Sequence, residues 1–358
     1  MESVTLDALD RRLVHALQLD GRLPFSRIAA ALGVPERTVA RRYHRLRSRL
    51  ALRVVGLVDG RRTGMLDWVV RVRCAPEAVE TLAVLLARRE DTSWIAPLVG
   101  GTELTCMIRT PPPGDDGRRP FFEQLARTAG VREVSAACVL RPVAGVGGWA
   151  GRMDALGEAE QHLLRPPRPT SADPAAPAAP AAPAAPAAPA EAVPVLSPAD
   201  SALLRALSQD GRADLGRLAS ATGCSESTVR RRIGQLRDSG VLAFEVEIDP
   251  ALLGYPIEAL LWLDVPPAGL RAVAEALAEH QQVAFAALTT GPSSLFVMVE
   301  CRSVSGLHAY VTDELAALHG ITRIESAVTQ RRTKRAGPLP APLAEKRSGA
   351  PSGRAAAQ

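Results

Sequence analysis

The sequence predicts an α+β protein built twice over: a three-helix unit followed by a βαββαβ sandwich, then the same pair again. Three observations predict it. The two halves of the 358-residue chain align without a gap at a shift of 190. A run of Ala-Ala-Pro repeats separates them. Within each half, a stretch of helical apolar period gives way to short apolar runs interleaved with two further helical stretches.

The repeat is read from identities. Asp10, Leu13, Ala16, Leu17, Asp20, Gly21 and Arg22 meet Asp200, Leu203, Ala206, Leu207, Asp210, Gly211 and Arg212. Arg27, Ala29, Gly33, Glu36, Thr38, Val39, Arg41, Arg42, Leu46 and Arg47 meet the same residue types at Arg217, Ala219, Gly223, Glu226, Thr228, Val229, Arg231, Arg232, Leu236 and Arg237. A duplicated domain explains this. The expected division is a three-helix unit at 1–60, a sandwich at 61–150, a linker at 151–194, a second unit at 195–250, a second sandwich at 251–335 and a tail at 336–358. In the linker, from Arg165 to Pro194, proline recurs at every third position, which forbids a long helix. It should be a stiff tether of polyproline II character that leaves the spacing of the halves open. The tail, Ala336 to Gln358, is rich in Pro, Gly, Ala and charge and reads as disordered.

In each unit the first helix shows helical apolar spacing, at Leu9, Leu13, Ala16, Leu17 and at Leu203, Ala206, Leu207. The Asp-Gly-Arg at 20–22 and 210–212 stops it. A short second helix runs over Phe25–Leu32 and Leu215–Thr222, and Gly33 and Gly223 supply the positive φ of a tight turn. The third helix opens on Pro35 in one copy, suited to a first-turn position, and on Ser225 as N-cap in the other. Glu36 and Glu226 suit the helix dipole there. Val39, Tyr43, Leu46 and Leu50, and Val229, Ile233 and Leu236, form stripes facing the core. Arg37, Arg41 and Arg45 share a face outside the first stripe, flanked by Arg42 and Arg49. Seven arginines stand against one acid from Gly33 to Arg53, and four against one from Ser225 to Arg237, so this charge is concentrated on the third helices. The chain holds only two lysines, Lys334 and Lys346.

Helix, short helix, glycine turn, basic helix and then a β-rich stretch (RVVGLVD and VLAFEVEID) is a winged helix-turn-helix pattern. A third helix of this kind fits the major groove, where arginines neutralise phosphates or grip guanine edges. Arg37, Thr38, Ser227 and Thr228, near the helix starts, are the expected base readers. Arg41, Arg42, Arg45, Arg230, Arg231 and Arg232 are expected to mix base and phosphate contacts. The rival reading is a solvated basic face. Its recurrence in two copies, each behind the same two helices, weighs against that.

The sandwiches follow from alternating runs. In the second half EALLWLDVP, AGLRAVAEALAEH, VAFAALTTGPSSLFVMVECR, SGLHAYVTDELAAL and ITRIESAVTQRR read as strand, helix, hairpin, helix, strand. In the first half LDWVVRVRC, PEAVETLAVLLARR, SWIAPLVGGTELTCMIRT, FFEQLART and VREVSAACVLRP repeat that order, with a solvated insertion PPPGDDGRR after Thr110. The order is that of a ferredoxin-like sandwich.

Several classes of function find no support. The five cysteines have no C-x-x-C spacing and the six histidines no H-E-x-x-H, so neither metal nor redox dithiol is expected. No glycine-rich phosphate loop and no catalytic constellation occur, and no cofactor is expected. The N-terminus lacks a signal-peptide core and no apolar run reaches the ~18 residues of a membrane span, so a cytoplasmic location is expected. A net charge of +5 is compatible with a nucleic-acid partner.

The run Leu-x-x-x-Asp-x-x-Leu-x-x-x-Leu-x-x-Asp-Gly-Arg from Leu6 to Arg22, with Ala-x-x-x-Gly-Val-x-x-x-Thr-Val-x-x-Arg from Ala29 to Arg42, resembles the Lrp/AsnC family of bacterial transcriptional regulators. SQDGR, GCSESTVRRRIGQLRDSGVL and IDPALLGYP carry the same resemblance in the second copy. It implies winged helix-turn-helix units, each joined to an effector-binding, oligomerising RAM/ACT-like α+β domain. It also implies double-stranded DNA as partner, an amino acid or other small molecule as effector, self-association through the ferredoxin-like domains, and a place at the nucleoid. The family's Gly-x-x-Asp hairpin falls at Gly101 and Gly291, with Leu104 and Ser294 at the Asp position. Gly101, Gly291, Ser293 and Ser294 are therefore the candidate effector positions. The two readers differ, PERTVARR against SESTVRRR, and an intrachain pseudo-dimer would present both. The alternative is a small-molecule sensor or protein dock without sequence-specific DNA binding.

Overall fold

The computed structural model describes residues 5–49, 51–112, 121–145, 149, 155–165, 196–330 and 332–339. The Ala-Ala-Pro linker, Leu50 of the apolar stripe, most of the insertion after Thr110 and the tail beyond 339 lie outside the described residues.

Each half opens with three helices. These are α1 (Ala8–Leu19), α2 (Phe25–Leu32) and α3 (Glu36–Ser48) in the first, and α7 (Pro198–Gln209), α8 (Leu215–Thr222) and α9 (Glu226–Asp238) in the second. Helix α1 starts in a capping box between Asp7 and Asp10, and α7 in one between Ser197 and Asp200. Gly33 and Gly223 end α2 and α8 at φ of 66° and 69°, a left-handed turn that suits glycine. The stripes Val39, Tyr43, Leu46 and Val229, Ile233, Leu236 are buried, as their period requires.

The strand after each third helix pairs with its counterpart from the other half. Strand β1 (Leu52–Val58) runs antiparallel to β6 (Leu242–Ile248). Val55 faces Glu245, its own equivalent at the shift of 190, so a pseudo-two-fold axis passes through that pair. Val246 and Ile248 complete the core of the first helical unit, while Val58 packs into that of the second. The β-rich stretch thus finishes each unit from across the axis.

Polar contacts follow the same symmetry. Arg22 donates to the carbonyls of Gly211 and Ala213 at 2.7 and 3.1 Å, and Arg212 to those of Gly21 and Leu23 at 2.6 and 2.9 Å. Arg47 pairs with Asp210 at 2.6 Å and Arg237 with Asp20 at 2.9 Å. Residue i meets j and j meets i, the mark of an isologous interface, here within one chain. Gly211 donates its N–H to the Val54 carbonyl at 2.8 Å. A Cβ at Gly21 would lie 2.7 Å from the Val54 side chain, and one at Gly211 3.0 Å from its backbone. The Asp-Gly-Arg triplets, read from sequence as helix stops, are also the fasteners between units.

Each sandwich has the expected order. The first comprises β2 (Leu66–Cys74), α4 (Pro76–Ala87), β3 (Thr92–Pro97), β4 (Glu103–Thr110), α5 (Phe121–Ala126) and β5 (Val131–Ala144). After it α6 (Glu158–Leu164) stands alone. The second comprises β7 (Ile257–Asp264), α10 (Pro267–Glu279), β8 (Val283–Thr289), β9 (Leu295–Cys301), α11 (Val304–Ala309) continued by a π-helical turn over Tyr310–Leu315, and β10 (Arg323–Val328). All eight strands form one sheet, β10-β7-β9-β8-β5-β2-β4-β3, joined at β8–β5. The outer edges also meet. Ile95 donates to Lys334 O at 3.0 Å, Val99 to Val328 O at 2.9 Å, and Gln330 to Pro97 O at 2.8 Å. Closure leaves neither edge open. Alternate side chains point two ways. Val70 and Val72, and Val297 and Val299, pack under the outer helices, while Val69, Phe296 and Met298 face inward.

Two expectations need correction. Helix α6 lies in the stretch assigned to the linker, and it docks on the first helical unit. Leu156 and Leu164 enter that core, Arg12 pairs with Glu160, and Arg27 donates to Leu163 O at 2.8 Å. The tail begins later than Ala336. Gly337 donates to Glu247 at 2.6 Å, Pro338 O accepts from Arg53 at 2.7 Å, and Leu339 packs on the first sandwich core. Both were hidden because they border low-complexity stretches and offer only a few apolar residues, Leu156, Leu164 and Leu339, whose partners are remote in sequence.

Candidate nucleic-acid interface

The arginines of α3 and α9 fall into two groups, and the capping carboxylates separate them. Asp10 is fully buried, closing the cap of α1. It also accepts from Arg42 at 2.9 Å and Arg45 at 2.5 Å, and Asp7 accepts from Arg42 at 2.5 Å. In the second unit Arg232 grips Asp200 with Nε and Nη2 at 2.5 and 2.8 Å. This bidentate contact, with the Ser197 N–H and hydroxyl, holds the Asp200 carboxyl down at about 2. Hydrogen bonds to Asp7 and Asp10 likewise raise the Arg42 guanidinium above its ordinary value. Arg42, Arg45 and Arg232, expected as DNA contacts, therefore brace the third helix against the first. Arg45 keeps 46% of its side chain exposed while doing so, and spacing alone does not reveal these partners.

The other predicted residues lie differently. Arg37, Arg41, Arg230 and Arg231 are exposed, and none forms an ion pair with a described residue. Ser227 is exposed, its hydroxyl 3.0 Å from that of Ser225. Thr38 and Thr228 are half-buried at the helix starts, and Thr228 N–H is capped by Ser225 Oγ at 3.3 Å. The exposed arginines of these helices without an ion pair to a described residue are thus Arg37 and Arg41 on α3, and Arg230 and Arg231 on α9. Each third helix is tied to the end of the other unit's first helix, through the Arg47–Asp210 and Arg237–Asp20 pairs. Sequence reasoning missed that role of Asp20 and Asp210, though their recurrence at the same place in both copies signalled it.

The candidate effector hairpins sit on the seam between the sandwiches. Gly101 and Gly291 take φ of 69° and 95°. Ser294 Oγ donates to Val265 O at 2.9 Å and accepts from Val265 N–H at 3.0 Å. Ser293, nearly buried, presents its carbonyl to Thr289 Oγ1 at 2.9 Å. Beside Gly291, Thr290 exchanges two hydrogen bonds with Cys138 of the first sandwich, both 2.9 Å.

Among the described residues no group of His, Cys, Asp and Glu is placed to hold a metal, and no helix is long and apolar enough to cross a membrane. His280, at the end of α10, is pulled below its ordinary pKa by burial and lies 3.1 Å from Tyr310 Oη. It serves as a hydrogen-bonding partner there.

Comparison with known proteins now adds identity to this geometry. The profile of the AsnC-type helix-turn-helix domain matches residues 6–47 and 196–237, and that of the Lrp/AsnC ligand binding domain matches 258–339. An uncharacterised HTH-type transcriptional regulator of Pyrococcus furiosus is 33% identical over 135 residues, which is 37% of this chain and 91% of that protein. The regulator LrpA of Pyrococcus horikoshii is 26% identical over 141 residues, 39% of this chain and 100% of its own. Among solved structures the siroheme decarboxylase NirDL superposes over 92% of this chain and 93% of its own, with a TM-score of 0.56 at 14% identity. That likeness is one of fold and covers the doubled architecture. With both helix-turn-helix units matched in place, and a relative aligned over nearly its whole length, this chain belongs to the Lrp/AsnC family of HTH-type transcriptional regulators.

Proposed function

We propose that this chain is a sequence-specific regulator that reads DNA as a pseudo-dimer within one polypeptide, presenting two non-identical recognition helices to one duplex. The observation that carries the reading is the exposed arginine set, Arg37 and Arg41 on α3 and Arg230 and Arg231 on α9, on helices that are each fastened to the first helix of the other unit by reciprocal ion pairs. Coupled readers engage half-sites about one helical turn, or a multiple of it, apart. Because PERTVARR and SESTVRRR differ, the preferred operator should be asymmetric. The chain acts by binding rather than catalysis, at the nucleoid of the cytoplasm. Gly101, Gly291, Ser293 and Ser294 are offered as the place where a small effector, such as an amino acid, acts on the sandwich seam. Further self-association would proceed through the ferredoxin-like domains.

The test is capture of sheared genomic DNA by the full chain, sequenced with and without an amino-acid mixture, beside an R230A/R231A variant. Enriched sites that vanish in the variant, with unequal half-sites, support the proposal. A palindromic motif defeats the asymmetry. The alternative, a sensor or protein dock without DNA reading, predicts no enrichment in either condition and no steep loss of DNA affinity with salt.

A further inference from the structure

Between the inner face of the closed sheet and the helical pair lies a cavity of about 580 Å³, within the ~300–1,000 Å³ usual for small-molecule sites. Both halves of the chain contribute walls, including β1 and α7 of the helical units. Trp94, Trp149, Phe296 and Met298 supply flat and polarisable surface.

One polar group in that wall is unusual. Lys334, on the segment that closes the sheet, is 4% exposed. Its Nζ donates to Arg89 O at 2.5 Å and to Thr92 Oγ1 at 3.4 Å, and forms no ion pair with a described carboxylate. An ammonium has three donors, so one is left over. Of the neighbouring charges, Arg332 is taken by Glu258 at 2.7 Å, Arg109 by Asp67 at 2.7 Å, Asp91 by Arg89 at 2.6 Å and Glu247 by Arg53 at 2.5 Å, while the exposed Glu90 acts on Lys334 only through space. Burial pulls Lys334 down to about 8, which still leaves it mostly charged at neutral pH. A buried charge is costly unless it is paired.

A second observation marks the same wall. Trp94 has φ of 52°, the one positive value at a non-glycine among the described residues. It sits in a bulge where the β3 register shifts, with the Arg332 guanidinium 5.0 Å from its ring centroid. A bulky residue held in the left-handed region is strained, and such strain gathers at ligand sites.

We propose that this cavity binds a small aromatic anion, a flat apolar body bearing one acidic group, with the Lys334 ammonium as its counter-ion and Trp94 as part of its platform. The site is separate from the seam hairpins. It does not rest on the DNA-reading proposal, since binding is measured without DNA.

The probe is 8-anilinonaphthalene-1-sulfonate, with the uncharged N-phenyl-1-naphthylamine as control. Each is titrated into the full chain and followed by energy transfer from tryptophan. One saturable site is expected, with the sulfonate bound at least tenfold more tightly than the neutral probe. Lys334→Met should abolish that preference while leaving the neutral probe unchanged, and Lys334→Arg should retain it. Equal affinity of the two probes for the native chain, or undiminished sulfonate binding by a folded Lys334→Met chain, would overturn the proposal. If Lys334→Met does not fold, reductive methylation of the native chain decides. The sulfonate should protect Lys334 with Lys346 as reference, and equal labelling with and without it would count against the site.

Discussion

Asp200 accepts hydrogen bonds from its own helix cap and from Arg232 at once, which makes it a sensitive reporter of how the second reader is held. The Arg232 contact and the Ser197 cap hold its folded pKa at about 2, below the ordinary 3.8. For a depressed carboxylate the stabilisation is fully present above the unfolded value and is lost as pH falls through the folded one. Asp200→Asn should therefore lower stability at neutral pH by ~2 kcal/mol, and the gap from the native chain should close between pH 4 and pH 2. Urea unfolding across that range measures it, and a gap independent of pH would contradict it. The neighbours Arg231 and Arg232 should also separate. Arg231→Ala is expected to leave the melting temperature unchanged. It should weaken DNA binding, by ~1–3 kcal/mol if the residue grips a guanine, or reduce the salt slope by about one if it meets a phosphate. Arg232→Ala should lower the melting temperature. Paired melting curves and salt titrations would expose the reverse assignment.

At the scale of elements, the glycines of the second unit test two different packings. A Cβ at Gly211 would lie 3.0 Å from the backbone of Val54 on β1, and backbone does not yield cheaply. Gly211→Ala should cost ~1–3 kcal/mol and loosen the pairing of β1 with β6. Gly234 lies within α9 with nothing inside 4 Å of an added Cβ. There Gly234→Ala should stabilise by ~0.5–1 kcal/mol, through lower entropy of the unfolded chain. Chemical denaturation of both variants checks the pair, and similar shifts would mean that the close approach at the axis is not rigid. Helix α6 and residues 336–339 act as straps at this scale, each fastening a helical unit by one or two leucines or a backbone bond.

Across the whole molecule, the halves meet at the β1–β6 ribbon, the β8–β5 join and the closure of β3 onto residues 328–335. With three such contacts the covalent link between halves should be dispensable once the chain has folded. A protease site placed between residues 165 and 196 should, after cleavage, leave two fragments that co-elute as one species in gel filtration. Separate peaks would show that the tether holds the halves together. The cavity lies where these contacts converge, so a bound anion that favours one placement of the helical pair would change DNA affinity by the factor by which DNA changes its own.

The sequence by itself determined the duplication, the three helices and six sandwich elements of each half, and the face on which arginine accumulates. These are local properties. Period, caps and glycine turns act within a few residues, and identities at a fixed shift need no coordinates. Only the tertiary structure decided which arginines are available. Arg41 and Arg42 are adjacent and chemically identical, but a carboxylate from α1 takes one and solvent takes the other. It also decided that β1 pairs with a strand 190 positions away, because strand pairing is set by hydrogen-bond partners that periodicity does not name. Lys334 illustrates the same limit. In sequence it is one of the chain's two lysines, set in a basic run, and in the folded chain closure of the sheet buries it at a cavity wall with no ion pair to a described carboxylate. Propensity acts over a few residues, whereas charge pairing and enclosure depend on groups that folding alone brings together.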